Sequence, residues 1–215
     1  NLYGEQVDSF VPGARCLSDV LHEAGYTNVF LGGANSKFAG KGTFLMDHGY
    51  DFVYGLENWE AEGEARENIS IWGMSDHQLF AHATERIDTL RAAGRPFNLT
   101  MLTLDTHEPG GVYPTCRTDD DVAMATAIRC SMQAVGGFLE HLRTNGYLED
   151  TVVVVMGDHL KATAEGGFYK AELDAQADRT IVLRVWSPDG TVRFARERAD
   201  QFSMLPTTLD LLGLG

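Results

Sequence analysis

Thr151-Val152-Val153-Val154-Val155-Met156-Gly157-Asp158-His159 is the stretch on which the reading of this 215-residue chain turns. Four consecutive valines behind a threonine form a β-branched run that is apolar at every position. Such a run fits a strand covered on both faces, and strands of that kind sit at the centre of parallel sheets. Its polar end, Gly157-Asp158-His159, is the first candidate site, because open α/β sheets bind ligands beyond the carboxyl ends of their strands.

Working outward, the same alternation repeats. Ile128, Val135, Phe138, Leu139 and Leu142 recur at helical spacing before Asn145-Gly146. Ile181 to Trp186 reads as a further strand. Leu205, Leu209 and Leu212 mark a closing helix, with Ser203 as its expected N-cap. Towards the start, Leu17, Val20, Leu21 and Ala24 give a helix stopped by Gly25. Asn28 to Leu31 gives a buried strand running into Gly32-Gly33. Leu79, Ala83, Ile87 and Leu90 form a helix ended near Gly94 and Pro96, and Phe97 to Leu104 forms a strand before Asp105-Thr106-His107. Glu57 to Asn68 is polar and reads as a surface excursion. The expected fold is α/β, a mainly parallel sheet with helices on both faces, formed by residues 1–215 as one domain.

The net charge of −14 leaves no clustered Lys and Arg for nucleic acid and disfavours an anionic membrane surface. No apolar run approaches the roughly 20 residues of a bilayer span. Cys116 and Cys130 flank a short loop that a disulfide can close, leaving Cys16 over. Three reduced thiols is the alternative, favoured in a reducing compartment.

Three strand ends carry polar residues. Asp158 and His159 offer one hard and one borderline ligand, suited to Mn²⁺ or Zn²⁺, and Gly157 allows the sharp turn that lets neighbours converge. Asp158 as a turn or helix cap is the plainer alternative. His107, ahead of Pro109-Gly110-Gly111, can hydrogen-bond a phosphoryl oxygen or move a proton, or else be a surface loop histidine. Asp105 either orients it or caps the turn. Gly32-Gly33-Ala34-Asn35 with Lys41 offers backbone N–H groups and a cation to an anion, though without the G-x-x-x-x-G-K-[ST] pattern. The remaining histidines, His48 among them, read as surface or packing residues.

Phe30-Leu31-Gly32-Gly33-Ala34-Asn35-Ser36-Lys37-Phe38-Ala39-Gly40-Lys41, followed by Phe44-Leu45-Met46-Asp47-His48-Gly49-Tyr50-Asp51 and Tyr54-Gly55, resembles the phosphoglycerol transferase I family. That family decorates osmoregulated periplasmic glucans and lies in the sulfatase-like branch of the alkaline phosphatase superfamily, beside the lipoteichoic acid synthases. The likeness continues through Trp72-Gly73, Thr103-Leu104-Asp105-Thr106-His107 and Asp158-His159-Leu160. It extends to Pro206-Thr207-Thr208-Leu209-Asp210-Leu211-Leu212-Gly213, similar to the closing helix of sulfatase-like proteins.

The resemblance implies one divalent metal, usually Mn²⁺ and alternatively Mg²⁺ or Zn²⁺, with Asp158 and His159 as two of its ligands. His107 is implied as the catalytic histidine of the substrate phosphate pocket, with Lys41 and Asn35 binding substrate. The acidic third ligand and the nucleophilic Thr are expected upstream of residue 1, so the N-terminal part of the domain is expected to be missing and these residues alone to be inactive. The implied partners are a phospholipid headgroup donor and a glucan acceptor. The implied setting is the periplasm, below an inner-membrane anchor upstream. A Cys116–Cys130 disulfide follows from the same likeness, with Cys16 pairing upstream. Ala39 stands where the lipoteichoic branch has tryptophan, so that branch's own substrate contacts are not expected. A sulfatase or phosphodiesterase, a phosphoethanolamine transferase, and a non-catalytic glycan- or phosphate-binding remnant are the rival readings.

Overall fold

The computed structural model describes residues 8–111, 113–116, 122–190, 192 and 198–215. It comprises two compact units, residues 1–138 and 139–215, with the division falling inside one long helix.

The first unit is built on three parallel strands in the order β2–β1–β3. Here β1 is Thr27–Gly32, β2 is Phe52–Tyr54 and β3 is Phe97–Leu102. Register runs from Thr27 opposite Phe97 to Gly32 opposite Leu102, so the carboxyl ends of β1 and β3 lie side by side. Asn28 to Gly32 are all buried, which requires cover on both faces. Asn28 belongs there because every polar arm is used. Its Nδ2 donates to the Ser18 and Gly49 carbonyls, and its backbone N–H donates to Asp51.

Helix α1 (Leu17–Glu23) and helix α4 (Asp76–Ala92) pack on β1, with α4 also on β3. Helix α2 (Lys41–Asp47) and helix α3 (Leu56–Ala61) pack on β2. Ser75 opens α4 by accepting from Gln78 N–H at 3.3 Å. Leu79, Phe80, Ala83 and Ile87 recur at helical spacing and form its buried stripe. Phe80 meets Phe138 of α5 (Ala123–Thr144) at 5.6 Å between ring centroids.

The polar stretch from Glu57 departs from the expected surface excursion. It contains α3, whose Trp59 is fully buried, stacked between Tyr54 and His82 with its indole N–H on the Gly32 carbonyl. One aromatic burying on the order of 200 Å² outweighs its polar neighbours, which stay on the outer face.

In the second unit, β4 (Val153–Met156) pairs antiparallel with β5 (Leu183–Trp186), the ends matching as Val153–Trp186 and Met156–Leu183. The expected central parallel strand is therefore an antiparallel one, half-buried and exposed by turns. A valine run specifies extended backbone, but the path of the connection decides direction, and residues 157–182 return the chain alongside β4. Helix α6 (Lys170–Asp174) lies in that connection, and α7 (Met204–Leu211) closes the chain. Ser203 precedes α7 without a side-chain cap. It bonds back to Asp200 instead, which accepts from both its N–H and its hydroxyl.

Cys116 and Cys130 form a disulfide with Cα atoms 5.8 Å apart, and Cys16 is a free, half-buried thiol. No described helix is long and apolar enough to cross a membrane.

Candidate functional site

The neighbouring carboxyl ends of β1 and β3 place Asn35, Lys41 and His107 in the first unit. The chain leaves β1 through Gly33, where a Cβ would lie 2.4 Å from the Met74 carbonyl and 2.6 Å from Leu104. Only glycine allows that approach, and it draws the segment before α4 against the exit of β3. Met74 N–H then bonds the Gly33 carbonyl at 2.9 Å.

Asn35 uses its side-chain oxygen locally, accepting from Lys37 N–H at 2.9 Å in an Asx turn. Lys41 opens α2 with its ammonium 5.9 Å from the centre of the Phe30 ring. Burial pushes its pKa down, and the nearby Glu57 carboxylate opposes that shift. Glu57 in turn grips Ser36 through the backbone N–H and the hydroxyl.

His107 is exposed on a loop held at both ends. Its N–H donates to the Leu104 carbonyl at 2.9 Å, and Gly111 N–H donates to the Asp105 carbonyl at 2.8 Å. The ring rests on Trp72 with centroids 4.1 Å apart. Its Nδ1 donates to the Glu108 carbonyl at 3.0 Å, the same oxygen that accepts the Trp72 indole N–H at 3.0 Å. A carbonyl can only accept, so Nδ1 carries a proton and neutral His107 presents Nε2 as a lone pair. Asp105 makes no hydrogen bond to His107. It is buried, bonded to α4, and acts on the loop through the backbone.

In the second unit, Asp158 and His159 follow β4, with side chains 68% and 69% exposed. Asp158 Oδ2 and His159 Nε2 lie 3.5 Å apart. His159 Nδ1 donates to the Leu160 carbonyl at 2.8 Å, which again leaves Nε2 as the lone pair. A backbone carbonyl on the far nitrogen is the usual support of a metal-binding imidazole. Two ligands at about 2.1 Å on a tetrahedral ion stand about 3.4 Å apart, so the pair fits one divalent cation. The Gln201 amide secures the Asp158 carbonyl.

The structure thus brings Asp158 and His159 together. Asn35, Lys41 and His107 share one sheet end, and no hydrogen bond or ion pair joins those three to one another among the described residues. Trp72 and the buried Asp76, Tyr113 and Ser131 were not legible as site residues. Asp76 reads as an ordinary first-turn carboxylate beside the Ser75 cap, and its partner Asp105 is 29 positions away. A second cluster of possible ligand atoms, Cys16, Asp19 and His48, is committed elsewhere. Both His48 nitrogens are engaged, with the Phe10 carbonyl at 2.9 Å and with Asp19 at 3.1 Å.

The sulfatase family model matches residues 5–214. Phosphoglycerol transferase I of Salmonella arizonae is 34% identical over 215 residues, covering 96% of this chain and 28% of that protein. Phosphoglycerol transferase I of Xanthomonas euvesicatoria pv. vesicatoria is 39% identical over 163 residues, covering 73% of this chain and 23% of that protein. The chain therefore spans about a quarter of the length of these relatives. A protein in the alkaline phosphatase superfamily from Vibrio parahaemolyticus superposes with a TM-score of 0.74 at 23% identity, over 100% of this chain and 50% of that one. The lipoteichoic acid synthase LtaP from Listeria monocytogenes gives 0.72 at 18% identity, over 99% and 54%. The chain shares the fold of these two structures and belongs to the sulfatase family.

Proposed function

We infer that this chain carries the metal-ligand and substrate-pocket part of a metal-dependent phosphoglycerol transferase. The donor is a phosphatidylglycerol-like headgroup and the acceptor a periplasmic glucan. The observation that carries the reading is the Asp158–His159 pair, two donor atoms 3.5 Å apart with the imidazole fixed so that Nε2 is the lone pair. Relatives named phosphoglycerol transferase I support the group transferred.

Mn²⁺ is the expected ion, with Mg²⁺ or Zn²⁺ as alternatives; when bound it would acidify the nucleophile's hydroxyl and draw charge from the phosphoryl oxygens. The nucleophile in this reading is a threonine hydroxyl. Its oxygen forms a bond to phosphorus while the bond to the lipid alcohol breaks and that alcohol takes a proton. A glucan hydroxyl then displaces the threonine and loses its own proton. His107 presents Nε2 to a phosphoryl or leaving-group oxygen, where it can hold or move that proton. Lys41 offsets negative charge developing on the phosphoryl group, and its partial burial strengthens that attraction. Asn35 positions the phosphoglycerol. Placement in the periplasm accords with the Cys116–Cys130 disulfide.

Two ligands rarely hold a divalent ion against water, so Asp158 and His159 by themselves are expected to bind Mn²⁺ weakly. The test is transfer of labelled phosphoglycerol to glucan by a protein spanning the full length of the relatives. Transfer that requires Mn²⁺ and is lost in Asp158→Ala supports the reading. Sulfate-ester hydrolysis without phosphoglycerol transfer contradicts it.

A further inference from the structure

Beneath the His107 loop, four polar side chains are buried together: Asp76 from α4, Asp105 from the exit of β3, Tyr113 from the following loop and Ser131 from α5. Asp76 is well supplied with donors. Leu104 N–H reaches it at 2.8 Å, the Ser131 hydroxyl at 2.7 Å and Asp105 N–H at 3.4 Å. Burial pushes the Asp76 carboxyl up, and these three donors oppose that push and favour its ionised form over that of Asp105.

Asp105 is supplied differently. Its Oδ2 accepts from Asp76 N–H at 2.9 Å, while its Oδ1 has no partner; the Tyr113 hydroxyl is likewise buried and unpaired. The two orphan groups flank Gly111, where a Cβ would lie 2.8 Å from Asp105 Oδ1 and 2.9 Å from the Tyr113 ring. A buried carboxylate with an orphan oxygen beside a second carboxylate is strongly disfavoured. A Tyr113 hydroxyl turned to Oδ1 would meet the hydrogen-bond need alone, but only a proton on the carboxylate pair also relieves the repulsion between Asp105 and Asp76. On Asp105 Oδ1 it is donated to Tyr113 Oη, and Tyr113, which also faces Ser70, can pass its own hydrogen there. Ser70 completes the chain by donating to the Gly73 carbonyl and accepting from Trp72 N–H.

We propose that Asp105 is a positioning residue for His107, held as a neutral carboxylic acid that donates from Oδ1 to Tyr113 while ionised Asp76 gathers the backbone at the exit of β3. The polar chain that begins at Asp105 ends at Trp72, the residue on which the His107 ring rests. The titratable groups facing Asp105 are Asp76 from α4 and Tyr113 from the loop; α5 contributes Ser131, which reaches the pair through Asp76 and brings no charge. Burial first and the Asp76 charge second push the Asp105 carboxyl up to about 7. Above that pH two buried carboxylates repel across the loop anchor, and the anchor loosens.

The protonation stands independently of phosphoryl transfer; only its bearing on catalysis rests on the His107 assignment. The direct test is infrared spectroscopy of the purified protein, read together with the backbone amide signals of Leu104 and Gly111 in NMR. At about pH 6, where ordinary surface carboxylates are ionised, the wild type should keep the carbonyl stretch of a carboxylic acid. That band should fade as pH rises through about 7, with both amide signals moving on the same midpoint. In Asp105→Asn, a neutral mimic, the band should be gone and the amides should stay near their low-pH positions. Tyr113→Phe, which removes the acceptor alone, should shift the band in frequency. The absence of the band from wild type, its persistence in Asp105→Asn or an unaltered frequency in Tyr113→Phe would overturn the proposal. A normal band in a protein that transfers no phosphoglycerol would count against the proposed function and leave this inference standing.

Discussion

His107 and His159 are held in the same way: each imidazole gives its Nδ1 proton to a backbone carbonyl within one residue of it, which leaves Nε2 as the lone-pair nitrogen. The sequence offered both histidines as candidates through their places after strands, but not this shared tautomer, which depends on how the following residues turn. Replacing His107 by Asn keeps a polar side chain and removes the proton-moving Nε2. Transfer by the full-length protein is then expected to fall by about 10²-fold or more, with the apparent affinity for Mn²⁺ unchanged. An equal loss of Mn²⁺ binding would mean that His107 serves the metal rather than the phosphoryl group. Asn35 was legible as a polar residue at a strand end, yet its side-chain oxygen closes a local turn. Its expected effect on transfer is correspondingly smaller than that of His107.

At the level of elements, periodicity carried most of the information. Strands β1, β3, β4 and β5 and helices α1, α4, α5 and α7 all lie where apolar spacing places them. The direction of β4 was not legible, because side-chain pattern reports which faces are covered and not the path of the connection. Helix α3 escaped notice because a short polar segment hides one dominant aromatic, Trp59. Two elements give stability tests. Leu79→Ala on the buried stripe of α4 is expected to lower unfolding free energy by about 2–5 kcal/mol, read by urea denaturation. Opening the Cys116–Cys130 loop by a double Ser substitution is expected to remove about 3 kcal/mol, given a separation of 14 residues. A Leu79→Ala loss below about 1 kcal/mol would show that this stripe is not the core of the unit.

For the molecule as a whole, two buried groups give stability a common pH trend. The Asp105 carboxyl is raised to about 7 from an unfolded value near 4, so the folded state binds the extra proton between those limits. Its stabilising contribution is complete below about pH 4 and lost as pH rises to about 7. The Phe10 carbonyl on Nε2, aided by Asp19 on Nδ1, raises His48 against the effect of burial. That contribution is full below about 6.5 and is lost as pH rises through the raised value. Thermal unfolding midpoints should therefore fall on going from mildly acidic to neutral pH, and Asp105→Asn should flatten the lower part of the curve. A midpoint that rises over that range would contradict both assignments. The measurement that bears most directly on the central claim is a Mn²⁺ titration of wild type, Asp158→Ala and His159→Ala, followed by electron paramagnetic resonance of the free ion. Weak binding by wild type that drops at least about tenfold in either variant is the predicted result. Binding equally strong in all three would show that Asp158 and His159 are not metal ligands.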